Sequence, residues 1–96
     1  MGQLKAIQQK EETILAVAHA HGLHKVRIFG SIARREGTCQ SDIDLLVDLD
    51  KNYTLLDTGG AIVKLQELLG RKVDIVTERG LHWYLRKKIV KEALPL

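Results

Sequence analysis

One stretch of this chain dictates most of what it can fold into. Between Val26 and Asp50 an apolar run, a Gly-Ser pair, a short polar-apolar segment and an alternating run follow in sequence. Val26-Arg27-Ile28-Phe29 reads as a strand, Gly30-Ser31 as the tight turn that ends it, and Ile32 to Glu36 as a short helix. From Asp42 to Asp50, Ile43, Leu45, Val47 and Leu49 fall on one side and Asp42, Asp44, Leu46, Asp48 and Asp50 on the other. That is the period of a half-buried strand.

The flanking segments supply helices to cover such a sheet. Leu4, Ile7, Ile14, Leu15 and Ala18 recur at helical spacing, so Gln3 to His21 is expected as one helix stopped by Gly22. Thr54 with Asp57 three residues on forms a capping signature for a helix running to Leu69 and stopped by Gly70. Gly59-Gly60 inside it costs roughly 1 kcal/mol per glycine relative to alanine, which predicts a late start or a local break. Val73 to Thr77 is a third strand, and Leu81, Leu85, Ile89 and Ala93 stripe a last helix. The order α-β-α-β-α-β-α, without repeat or linker, predicts one α/β domain over residues 1–96 with a helix-flanked sheet.

The chemistry is carried by aspartates. Asp42 and Asp44 lie two apart on a strand, so they project together, about 6.6 Å apart along it. Two such charges repel unless a cation or solvent screens them. Asp74, in the otherwise apolar Val73-Asp74-Ile75-Val76, joins them if the two strands are neighbours. Mg²⁺ prefers one or two carboxylates plus substrate phosphates, and three carboxylates suffice for two ions on an in-line displacement. Glycine at Gly30 permits close approach of backbone to a phosphate. The helix start after it offers free N–H groups and a positive dipole end, Ser31 adds a hydroxyl, and Arg34 a bidentate donor. An Asp-x-Asp alone is usually just a sheet's solvent face, and a Gly-Ser turn is usually punctuation. The joint pattern, with its ten-residue spacer and third aspartate, is what points to a metal-bound triphosphate.

Other features exclude more than they assert. The sixth position counted from Asp42 is Val47 rather than glycine, so no EF-hand is present, and no GxxxxGK[ST] loop occurs. His19, His21 and His24 do not share a helix face and read as surface residues rather than zinc ligands. Trp83 and Tyr84 read as partly buried core of the last helix, with partner docking as the other reading. Arg86, Lys87, Lys88 and Lys91 read as its solvated face. At 4% aromatic residues and a net charge of +3, a nucleic acid is a poor fit as direct ligand. The lone Cys39 forms no internal disulfide. With no apolar run near the roughly 18 residues of a membrane span and no signal-peptide pattern, the chain is expected to be cytoplasmic.

Phe29-Gly30-Ser31-Ile32-Ala33-Arg34, Ser41-Asp42-Ile43-Asp44-Leu45-Leu46-Val47, Leu69 to Val76 and the ending Ile89 to Leu96 together resemble the minimal nucleotidyltransferases (MNT) of the DNA polymerase β superfamily. The resemblance implies a polymerase β-like fold with a small mixed sheet. It makes Asp42, Asp44 and Asp74 the catalytic Mg²⁺ ligands for two ions, and places Gly30 and Ser31 on the triphosphate. It further implies an antitoxin that transfers AMP from ATP to a tyrosine hydroxyl of a HEPN-type ribonuclease toxin, with which it forms a hetero-oligomer. So small a domain has little room to hold its own acceptor, in keeping with a protein hydroxyl arriving from outside. Two alternatives stand beside this: an antitoxin acting by binding alone, and a small RNA-binding or RNA-tailing nucleotidyltransferase. Arg35 departs from relatives that often carry glycine there, in an Ala-Arg-Gly-Glu run, and the Gly59-Gly60 pair is a second departure.

Overall fold

A computed structural model describes residues 2–96. Its elements are α1 (Gln3–Gln8), α2 (Glu11–Ala20), β1 (Leu23–Phe29), α3 (Gly30–Ala33), β2 (Ile43–Leu49), α4 (Leu55–Leu69), β3 (Val73–Thr77), α5 (Trp83–Glu92) and β4 (Leu94–Pro95). The four strands form one mixed sheet in the order β3-β2-β1-β4. β2 runs parallel to β3 and antiparallel to β1, and β4 closes the far edge antiparallel to β1.

Alternation along the strands sends Ile28, Ile43, Leu45, Val47, Val73 and Ile75 to one face. Leu4, Ile7, Ile14, Ala18, Ala61, Leu65 and Leu69 of α1, α2 and α4 cover it in a single core cluster. Burying each large aliphatic side chain contributes about 1.5–3 kcal/mol, so this one-sided core dominates the stability. The opposite face is mixed. Leu46, assigned by its alternation to the aspartate side, is fully buried there between its cross-strand neighbours Arg27 and Val76. Arg27 bridges Asp48 (3.4 Å) and Glu78 (3.2 Å) across that face.

Several elements differ from the sequence expectation. The first helix is two: the chain turns at Gln9 and Lys10, where the Lys10 N–H reaches back only to Ile7 O (2.9 Å). Nothing in the local sequence explains that break. β1 begins at Leu23 because a bulge between His24 and Arg27, with Lys25 at φ +47°, absorbs extra residues and keeps Leu23, Val26 and Ile28 all buried. α4 runs unbroken through Gly59 and Gly60. Its capping box is present, with the Thr54 N–H donating to Asp57 (2.7 Å). At Gly60 an added Cβ would sit 3.3 Å from the His21 ring, so glycine lets α4 approach the end of α2.

The last helix also departs from expectation. None of its residues is buried, and Trp83 and Tyr84 are 77% and 58% exposed rather than core. β4 is an addition. Proline is tolerated at Pro95 because the strand is at an edge, where a missing N–H costs no ladder bond. Among the described residues no helix is long and apolar enough to cross a membrane.

Candidate active site

The parallel pairing of β2 with β3 sets Asp44 directly opposite Asp74. Residues so paired lie about 4.8 Å apart on the same face of a sheet. Asp42 precedes β2 by one residue and is exposed, as is Asp74, whereas Asp44 is half-buried. Burial holds the Asp44 carboxyl above its ordinary value. The neighbouring Asp74 and Asp42 charges push the same way, and Arg34 opposes them. The sheet thus brings two of the three aspartates into register and places the third on the adjoining loop end. Lys72 Nζ stands 3.9 Å from the Asp42 carboxylate.

The turn that ends β1 packs on this cluster. Phe29 is the cross-strand partner of Asp44, so Gly30 follows immediately beside that carboxylate. Gly30 has φ +77°, a backbone that favours glycine, and a Cβ added there would collide with the Asp44 carboxylate. Asp44 therefore rests against bare backbone. Ser31, the next residue, is half-buried and adds its hydroxyl to the turn. α3 is a single turn of four residues, so the dipole expected at its start contributes little; what the turn offers is individual N–H groups and a hydroxyl.

Two of the donors expected for phosphate are already engaged. The Gly30 N–H donates to Glu92 Oε2 (2.8 Å), and Arg34 Nη1 reaches both Glu92 oxygens at 3.2 Å while its Nε donates to Glu36 (3.0 Å). These acidic partners raise the Arg34 pKa above its ordinary value. Glu92, at the end of α5, was not singled out from the sequence. The available signal was a lone acid among the cations Arg86, Lys87, Lys88 and Lys91. Arg71 was missed as well. It donates to the carbonyls of Thr38 (2.9 Å) and Ser41 (2.6 Å) and to the Gln3 side chain (2.6 Å), which ties down the loop that delivers Asp42. Arg35 sits at φ +63°, a left-handed conformation that explains why glycine suits that position.

Asp44 and Asp74 in register, with Asp42 beside them, are a hard-oxygen donor set that fits a divalent cation such as Mg²⁺. Among the described residues no three acidic, histidine or cysteine side chains already converge on one point. Magnesium takes few protein ligands and fills its remaining positions with phosphate and water.

A family model described as the nucleotidyltransferase domain matches residues 9–96. A candidate protein adenylyltransferase of Methanocaldococcus jannaschii is 36% identical over 88 residues, covering 92% of this chain and 95% of its own. Among solved structures, a candidate minimal nucleotidyltransferase superposes with a TM-score of 0.87 at 44% identity, covering 100% of this chain and 97% of its own. A chain of an MntA toxin–antitoxin complex superposes at 0.73 with 26% identity, covering 90% of this chain and 70% of its own.

Proposed function

Because this chain belongs to the nucleotidyltransferase domain family, we propose that it is a Mg²⁺-dependent protein adenylyltransferase acting on a HEPN-type toxin as its antitoxin. The observation that carries the reading is the register of Asp44 against Asp74 with Gly30 pressed on the Asp44 carboxylate. Two carboxylates in register with a glycine turn against one of them support the reading. The adenylyl specificity follows the relative from Methanocaldococcus, and the partner follows the structural neighbour drawn from a toxin–antitoxin complex.

In this reading Asp42, Asp44 and Asp74 would hold the divalent ions. Bound there, the ions would neutralise the phosphates and lower the pKa of nearby groups. Gly30 and Ser31 grip the triphosphate through the N–H groups and hydroxyl of the turn. An acceptor oxygen, a tyrosine hydroxyl of the partner, attacks the α-phosphorus. The bond from that phosphorus to the bridging oxygen breaks, diphosphate leaves, and Asp74 on the acceptor side takes the hydroxyl proton. Catalysis is then positioning plus charge neutralisation. Arg71 contributes by fixing the loop that sets Asp42.

Incubation with labelled ATP, Mg²⁺ and the HEPN partner should transfer AMP to one tyrosine, located by mass spectrometry. The double variant Asp42→Asn, Asp44→Asn should transfer none and fail to neutralise the partner. A second reading, neutralisation by binding alone, is favoured by the exposed Trp83, Tyr84 and Leu85 of α5. It takes over if the double variant still neutralises and wild type moves no label.

A further inference from the structure

Glu92 is a carboxylate that the proposed mechanism does not use, yet it sits at the heart of the turn that the mechanism needs. Its Oε2 accepts the Gly30 N–H at 2.8 Å, and both its oxygens lie 3.2 Å from Arg34 Nη1. Its side chain is only 17% exposed, so the contact is a seated one rather than a passing surface pair. A carboxylate held by a backbone N–H and a guanidinium has the same donors around it as a phosphate oxygen would. Gly30 is thereby flanked by two acidic groups, Asp44 against its α-carbon and Glu92 on its N–H.

We propose that Glu92 is a further residue of the nucleotide site: a resident anion that fills the phosphate seat at Gly30 and Arg34 and that the triphosphate of an incoming nucleotide displaces. The proposal rests on the nucleotide-binding reading above and deepens it. Two consequences follow from the geometry. A nucleotide must part Glu92 from its donors and tolerate its charge nearby, so the carboxylate weakens nucleotide binding. Glu92 is also the last residue of α5, two residues before Leu94 of β4, so its release loosens the tie between that segment and the turn. Nucleotide occupancy is in this way transmitted to the chain's one helix with no buried residue among α1, α2, α4 and α5.

The test is equilibrium binding of a non-hydrolysable ATP analogue with Mg²⁺ to wild type, Glu92→Gln and Glu92→Ala, with amide hydrogen exchange over residues 83–96. Glutamine keeps an acceptor for the Gly30 N–H but carries no charge. The expectation is a Kd about tenfold lower for Glu92→Gln, the size of one partly screened unit charge removed from near a triphosphate. In wild type, exchange across 83–96 should quicken when the analogue binds. A residue serving only as a tie between α5 and the turn would leave binding unchanged or weaker in both variants and would leave exchange unchanged or slower. Either result overturns the proposal while the nucleotide site stands, provided wild type binds the analogue. Absence of binding in wild type and both variants overturns the nucleotide site itself and the Glu92 proposal with it.

Discussion

Replacing Gly30 by alanine probes the contact on which the site is built. Two costs add. A left-handed backbone at φ +77° costs an L-residue about 1–2 kcal/mol. The new methyl group also meets the Asp44 carboxylate, and turning that side chain out of its place costs about 1–2 kcal/mol more. The sum, about 2–4 kcal/mol, is a large part of the 5–15 kcal/mol typical of a folded domain. The two terms separate in a double-mutant cycle. With Asp44→Ala as background the nearest remaining Asp44 atom is Cβ at 3.4 Å, an ordinary contact, so only the backbone term should survive. Urea unfolding followed by circular dichroism should therefore give a coupling of about 1–2 kcal/mol between the two substitutions. An equal cost of Gly30→Ala in both backgrounds would refute the placement of Asp44 against the turn.

Two further outcomes follow from single residues. The Asp44 pKa is raised in the fold, so the folded protein holds that proton more tightly than the unfolded chain. Its contribution is then favourable below the ordinary value of 3.8 and is lost as pH rises through the higher folded value. Asp44→Asn should accordingly raise the urea midpoint at pH 7 in chelator, with the gain vanishing below pH 3.8; a gain that persists at low pH would contradict the assigned cause. Arg35→Gly should stabilise by about 0.5–1 kcal/mol, the left-handed cost less the extra chain entropy of glycine, and a loss of stability by the same urea assay would contradict it.

What the sequence made legible was what local pattern controls. The alternation from Asp42 to Asp50, the Thr54–Asp57 cap and the Gly70 stop all appear where their residues place them. The Gly59-Gly60 expectation failed because tertiary packing of α4 on α2 outweighs a propensity cost of about 1 kcal/mol per residue. The start of β1 was hidden because a bulge breaks the period of two. β4 was hidden because two residues carry no period at all. In the candidate site, the juxtaposition of Asp44, Asp74 and Gly30 was readable from the strand pattern. The grip of Glu92 on Gly30 spans 62 positions, and that of Arg71 on Ser41 spans 30, so no local signal announces either. Trp83 and Tyr84 were misplaced because an amphipathic helix reads the same whether its apolar side meets this chain's core or is left exposed.

The most direct measurement is a crystal structure with Mg²⁺ and a non-hydrolysable ATP analogue. The account predicts divalent ions coordinated by Asp42, Asp44 and Asp74, with phosphate oxygens on the Gly30-Ser31 turn. Nucleotide bound elsewhere, or an Asp74 carboxylate directed away from ions held by the other two, would contradict it.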